Sequence, residues 1–236
     1  MQRSRAVTDA RTALKEDLAR GYRIFGALGW GDLGDGHISG RDPERRDCFW
    51  LLRYGVPFPE ATTDDLVLVG SEGELVEGNG DINRPGFYIH QPILAARADV
   101  VSAAHTHTQW GTPFCAEVRP IEPITQEACV FFENAALFDD EEVQVQGLDA
   151  GARLAQSLGR NRALLLRNHG PLTVGASVAE SVVWFAMLER VAEAHLKTTN
   201  PRPISPAAAR FARDDLTREG TARSVFEFLG RHHRVW

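Results

Sequence analysis

Apolar positions recur along this chain with a helical period in some stretches and as short continuous or alternating runs in others, and the switches mark its elements. From about Thr8 to Leu28, Leu14, Leu18, Ile24 and Phe25 fall close to one helical stripe, with Thr8-Asp9 as a capping pair. Gly29 to Gly36 is a glycine-rich stop. Strand-like runs follow at Gly36 to Pro43, Cys48 to Tyr54 and Asp64 to Gly70, and Leu75 to Gly78 returns as a short hairpin partner. A second helix opens at Asn83, with Pro85 suited to its first turn and Pro92 inside it as a source of a kink, and ends near Asp99. Val100 to Ala104 reads as a buried strand. Gln109 to Ala116 is a short helix or turn, Val118 to Ile124 an extended connector, and Gln126 to Phe132 either helix or strand. Gly147 to Gly159 is a helix, Ala163 to Asn168 a strand, and Ser177 to Lys197 the longest helix, apolar most of the way round. A proline-rich link, 198–206, leads to two short helices near Pro206–Phe211 and Ser224–Leu229. Hairpins mixed with helical crossovers predict an α/β fold on a mixed or antiparallel sheet. Residues 1–200 read as one domain, with 201–236 as a helical tail of that domain.

Two of the strand-like runs end in chemistry. Val100 to Thr108 carries His105 and His107, two places apart. On a strand such residues share a face, with Cα atoms roughly 6–7 Å apart. Ala163 to Asn168 ends in His169-Gly170-Pro171. If the two strands are neighbours, His169 reaches the same sheet edge. Three neutral imidazoles would then hold a divalent cation at about 2.0–2.1 Å with open positions left over. The plain alternative is three satisfied polar histidines beside strands.

Composition narrows the rest. The 236 residues carry a net charge of −6 and no basic stripe, which argues against a nucleic-acid partner. No apolar run approaches the roughly 20 residues of a membrane span. The basic start Met1-Gln2-Arg3-Ser4-Arg5 is followed by no apolar signal core, so the expectation is cytoplasmic. Cys48, Cys115 and Cys129 have no metal-motif spacing and are expected as free thiols. The glycine-rich stretch Gly31 to Gly36 brings two carboxylates and no Lys-Ser/Thr, and so is not a phosphate loop.

The order and spacing of four motifs resemble the class II aldolase/adducin family. They are Gly36-His37-Ile38-Ser39-Gly40-Arg41, the helix Asn83-Arg84-Pro85-Gly86-Phe87-Tyr88-Ile89-His90, the core Ala104-His105-Thr106-His107-Thr108, and Leu165-Leu166-Arg167-Asn168-His169-Gly170. The resemblance implies a three-layer α/β/α domain with a mostly antiparallel central sheet, commonly a homotetramer with metal sites near subunit interfaces. It implies zinc or a similar ion on His105, His107 and His169, polarising a carbonyl oxygen during carbon–carbon cleavage.

The resemblance also exposes departures. Sugar-phosphate aldolases of this family carry a Glu on the helix before the histidine strand. That place is Gly86 here, so the acid/base group must come from elsewhere. Glu127, His90 and Gln126 are the candidates. The Asn of the Gly-x-x-Ser element is replaced by His37, and phosphate-binding serines by Arg84-Pro85. Arg84 is therefore expected on a substrate carboxylate, with His37 and Ser39 of the Gly-x-x-Ser element, and Gln126, as further substrate contacts. The leading expectation is a metal-dependent lyase, with zinc, iron(II) or manganese, acting on a small carbonyl or carboxylate substrate by aldol cleavage or decarboxylation. The alternative is a non-haem iron(II) oxygenase of an aromatic or keto acid, which a three-histidine site without a carboxylate suits. A non-catalytic, adducin-like interaction domain is the third, against which three convergent imidazoles argue. Trp110 and Phe114 are expected in the core or as a wall of the substrate pocket. The tail from Phe226 to Trp236 is expected as a free end or as a lid over a neighbour's site.

Overall fold

The computed structural model describes residues 2–235. Its core is an eight-stranded sheet of order β4-β3-β2-β1-β5-β8-β7-β6. The strands are β1 (His37–Arg41), β2 (Phe49–Leu52), β3 (Leu66–Val69), β4 (Leu75–Glu77), β5 (Ser102–His105), β6 (Ala135–Phe138), β7 (Ala163–Leu166) and β8 (Gly170–Gly175). Every pairing is antiparallel except β6 with β7. The α/β class and the mostly antiparallel sheet are as expected.

Apolar runs rather than strict alternation mark these strands because both faces of the sheet are covered. Trp50, Leu52, Leu66, Leu68, Ala104, Ala163 and Leu165 turn to one core. Phe49, Leu51, Val67, Val69, Ala103, Leu164, Leu166, Leu172 and Val174 turn to the other. The first core is closed by α1 (Gln2–Ala27), α3 (Gly111–Ala116), α5 (Val178–Lys197), α6 (Pro206–Leu216) and α7 (Thr221–His233), the second by α2 (Arg84–Ala96) and α4 (Leu148–Leu158). This gives three layers.

Three local devices hold the frame of the later site. Pro92 lacks an N–H, so the carbonyl of Tyr88 four residues earlier loses its helical partner. Gly151 of α4 packs against that carbonyl, and a β-carbon there would lie 1.9 Å from the Tyr88 oxygen. The Arg41 guanidinium is buried and donates to the carbonyls of Val100, Leu94 and Arg97, tying the end of α2 to β1. At the other end of β1, Tyr22 of α1 reaches between strands. Its hydroxyl donates to Ile38 O at 2.7 Å and accepts from Ile38 N at 2.8 Å and Leu52 N at 3.3 Å. β1 and β2 pair directly only at Gly40–Trp50 and Arg41–Phe49. The Tyr22 hydroxyl thus fills the gap where the strands part, beside His37.

Several expectations need correction. β5 and β7 are not neighbours: β8, which opens with Gly170-Pro171, lies between them. β5 ends at His105, so His107 stands on the following loop and not on the strand. Gln126 to Phe132 resolves as a 3-10 turn, Glu127–Phe131. The tail helices run longer than their apolar stripes, because Ser205 caps α6 and its exposed turns are charged. The three cysteines are free and buried, as expected. The tail is helical to His233: Phe226 is fully buried in the first core, and Glu227 and Arg223 bond Arg20 and Asp17 of α1. Trp236 lies outside the described residues. Among the described residues no helix is long and apolar enough to cross a membrane.

Candidate metal centre

His105, His107 and His169 each present a ring nitrogen, and the three lie within 4.8 Å of one another. The ring centroids are 4.8 to 5.4 Å apart and the planes nearly perpendicular, so edges rather than faces converge. Each ring arrives by a different route. His105 is the last residue of β5, at a central position of the sheet. His107 follows two residues later on the loop. His169 sits in the β7–β8 hairpin, where Asn168 takes a left-handed φ of 54°, a conformation asparagine tolerates. The hairpin brings it beside β5 although β7 itself is one strand removed. Gly170 lets the rings close up: a β-carbon there would lie 3.3 Å from His105 Cε1 and 3.4 Å from His107 Cδ2.

The donor set suits a divalent cation. His105 Nδ1–H donates to the Pro171 carbonyl at 2.8 Å, leaving Nε2 as the bare ligand nitrogen. Asp35 Oδ2 lies 3.3 Å from His107 Nδ1, so a carboxylate stands beside that ring. Burial, with the neighbouring rings adding to it, pushes the His105 imidazolium well below its ordinary range and His169 down to about 4. Ligands must be neutral to bind, and burial keeps these two so.

A second imidazole pair adjoins the first. His37 faces His105 across the β1–β5 register, ring centroids 5.1 Å apart. Its Nδ1 is 2.8 Å from His90 Nε2, and His90 Nδ1 is 2.6 Å from Ser39 Oγ. Desolvation first, then mutual repulsion, holds His37 far below its ordinary range; desolvation, then His105, holds His90 down to about 3. Two cavities flank this cluster. One of about 400 Å³ is lined by His37, Tyr22, Trp30, Phe58, Val56 and Asn83, among others. The other, about 630 Å³, is lined by His107, Trp110, Glu189, Phe228, His232 and His233, among others. Gly29, Trp30 and Asp32 line both, so the glycine-rich stop is the wall between them.

The sequence candidates thus divide. His37, Ser39, His90, His105, His107 and His169 come together. Arg84 does not join them: it is exposed, donates to Gly73 O at 3.3 Å, and lines a separate cleft with Glu74 and Asp81. Glu127 and Gln126 open the 3-10 turn, line neither flanking cavity, and share no hydrogen bond with the histidines. Phe114 is core, while Trp110 walls the His107 cavity. Asp35 and Glu189 were missed. Asp35 had a faint signal, a carboxylate one residue before the Gly36-x-x-Ser39 element. Glu189 had none, lying on a helix 82 residues beyond His107 in a chain rich in surface glutamates.

The fold and its histidine centre define a class, and comparison with known proteins agrees. The profile of the class II aldolase and adducin N-terminal domain matches residues 16–196, and the chain belongs to that family. It is 37% identical over 205 residues to a 4-hydroxy-3-prenylphenylpyruvate oxygenase/4-hydroxy-3-prenylbenzoate synthase of Streptomyces roseochromogenus subsp. oscitans, covering 86% of this chain and 74% of that protein. It is 40% identical over 181 residues to decarboxylase NovR of Streptomyces niveus, covering 76% and 67%. Its fold superposes on the solved L-fuculose 1-phosphate aldolase from Glaciozyma antarctica PI12 with a TM-score of 0.88 at 32% identity, covering 97% and 92%.

Proposed function

We propose that His105, His107 and His169 hold a divalent cation, zinc, iron(II) or manganese, and that the protein is a metal-dependent lyase. It makes or breaks a carbon–carbon bond, by aldol chemistry or decarboxylation, in a small carbonyl or carboxylate substrate. One observation carries this reading: three imidazole nitrogens within 4.8 Å, with buried His105 and half-buried His169 held neutral, beside open cavities. A cation there supplies Lewis-acid polarisation of a carbonyl, or oxygen activation if it is iron. The protein's part is to set the His105 tautomer through Pro171, to hold Asp35 beside His107, to line the His37 cavity with Trp30, Tyr22 and Phe58 against water, and to orient substrate there. The similarity to a decarboxylase and to an enzyme of a substituted phenylpyruvate favours a 2-oxo acid as substrate class.

One feature favours iron(II) oxygenase chemistry as a second reading. Gly86 leaves the three-histidine site without the metal-contacting carboxylate of a sugar-phosphate aldolase. A homotetramer in the cytoplasm is the accompanying expectation. The test is metal content by mass spectrometry on protein purified without oxygen or chelators. Near-stoichiometric iron, with oxygen uptake on aromatic 2-oxo acids, establishes the second reading. Zinc or manganese with carbon–carbon cleavage of hydroxy-oxo acids establishes the first. No metal after reconstitution overturns both.

A further inference from the structure

Ser39, His90 and His37 form one line of hydrogen bonds through the core, and the direction of its protons decides what His37 offers. Ser39 is fully buried, and among the described residues its hydroxyl has one partner, His90 Nδ1 at 2.6 Å. If His90 Nδ1 carried the proton, the Ser39 hydroxyl hydrogen would have no acceptor, and leaving a buried polar group unsatisfied is costly. In the arrangement that satisfies every member, Ser39 O–H donates to His90 Nδ1. His90 Nε2–H then donates to His37 Nδ1, and the remaining proton of His37 sits on Nε2. Among the described residues that Nε2 has no hydrogen-bond partner and is not one of the buried orphaned atoms, while His37 lines the 400 Å³ cavity.

The ring is also held in place sterically. Ile38, its neighbour in β1, is clamped on both backbone groups by the Tyr22 hydroxyl. Gly86 lies against the ring's Cδ2–Nε2 edge: a β-carbon there would be 2.7 Å from Cδ2 and 3.3 Å from Nε2. The glycine thus leaves room for the donor beside the metal centre.

We propose that His37 contacts substrate directly, its Nε2–H donating to a carbonyl or carboxylate oxygen in this cavity, and that Ser39 and His90 are positioning residues that fix this tautomer. The identity of the oxygen rests on the 2-oxo acid reading above; the tautomer does not. A donor preset in this way needs no reorganisation when negative charge grows on the oxygen, which is where such a group is worth most.

The test is long-range 15N–1H correlation of the imidazole rings in zinc-loaded and metal-free protein near pH 7.5. The expected wild-type spectrum shows His37 protonated on Nε2 and bare at Nδ1 in both. Ser39→Ala is expected to move the His37 proton towards Nδ1, and Ser39→Thr, which keeps the hydroxyl, to restore Nε2–H. His37 found protonated on Nδ1 in wild type, or a Ser39→Ala spectrum identical to it, overturns the proposed chain. Pyruvate and phenylpyruvate are then added to the zinc-loaded protein. A shift of the His37 Nε2–H resonance supports the contact, and shifts of the three ligand rings without His37 overturn it. No shift of any ring overturns the 2-oxo acid reading, while the tautomer result stands alone. His37→Gln should keep full zinc occupancy, since His37 is not one of the three converging nitrogens; loss of zinc would make it a ligand and end its role as donor.

Discussion

His37 occupies the space that a side chain on Gly86 would need, with its Cδ2 only 2.7 Å from where a β-carbon would stand. The two positions are 49 residues apart, yet they are alternative owners of one volume next to the candidate metal centre. Gly86→Glu alone should therefore strain a buried ring pair, costing about 1–3 kcal/mol as overpacking does. His37→Asn with Gly86→Glu should recover at least about 1 kcal/mol of that loss, because the shorter side chain vacates the space. Urea denaturation of the two single variants and the pair measures this coupling. Additive losses would show that the ring can swing away without cost.

The histidine centre makes its own demands. His105→Ala or His169→Ala should lose the bound ion, with far-ultraviolet circular dichroism unchanged. Asp35→Asn should keep it but bind about 10–100-fold more weakly, as expected when the partner orienting a ligand ring is weakened. Competition against a chromogenic chelator gives both results. Undiminished affinity in Asp35→Asn would mean that the 3.3 Å approach to His107 Nδ1 orients nothing.

Much of this centre was legible in the chain, for a physical reason. A strand that is buried on both faces spells itself as a run of small and apolar residues, so Val100 to Ala104 and Ala163 to Leu166 stand out, and the histidines at their ends stand out with them. What could not be read is what long-range pairing decides. β8 begins with Gly170-Pro171, which imitates a turn, so the strand that separates β5 from β7 was hidden. β6 has only four residues and earns its place as a parallel edge through Asn134 and Arg162. The Ser39–His90 bond joins a strand to a helix 51 residues away, and no local period announces it. Arg84 was singled out for its chemistry, but the Asn83 cap that starts α2 turns it towards Gly73 instead.

Buried neutral histidines make the metal-free protein sensitive to acid. His90 is held down to about 3, against about 6.5 for an exposed imidazole. Between these values the unfolded chain binds the proton and the folded one does not. This contribution is therefore complete above about pH 6.5 and is lost as pH falls towards 3. His37, His105 and His169 act in the same direction. Stability of the metal-free protein should fall steeply below pH 6, by up to about 1.4 kcal/mol per pH unit for each such ring. His90→Gln should show a shallower fall. Chemical denaturation at several pH values measures the slope, and equal slopes for the two proteins would mean that His90 is protonated in the native state.

Glu189 of α5 is the anchor of the loop that leaves His107. Its Oε2 accepts from Thr108 Oγ1 and from Gly111 N at 2.7 Å, and its Oε1 accepts from Trp110 N at 2.9 Å. The carboxylate is nearly buried. It also satisfies the first N–H groups of α3, which starts at Gly111 and has no other cap. Gly111 must be bare, since a β-carbon would lie 2.6 Å from Thr108 Oγ1 and 2.9 Å from Glu189 Oε2. Glu189→Ala strands three donors and should cost about 2–4 kcal/mol. Glu189→Gln should cost less but not nothing, because its amide nitrogen must face one of those N–H or O–H groups. If the loop truly fixes His107, both variants should also weaken metal binding, alanine more than glutamine, at temperatures where each is fully folded. Stability loss with unchanged metal affinity would confine Glu189 to holding the fold together.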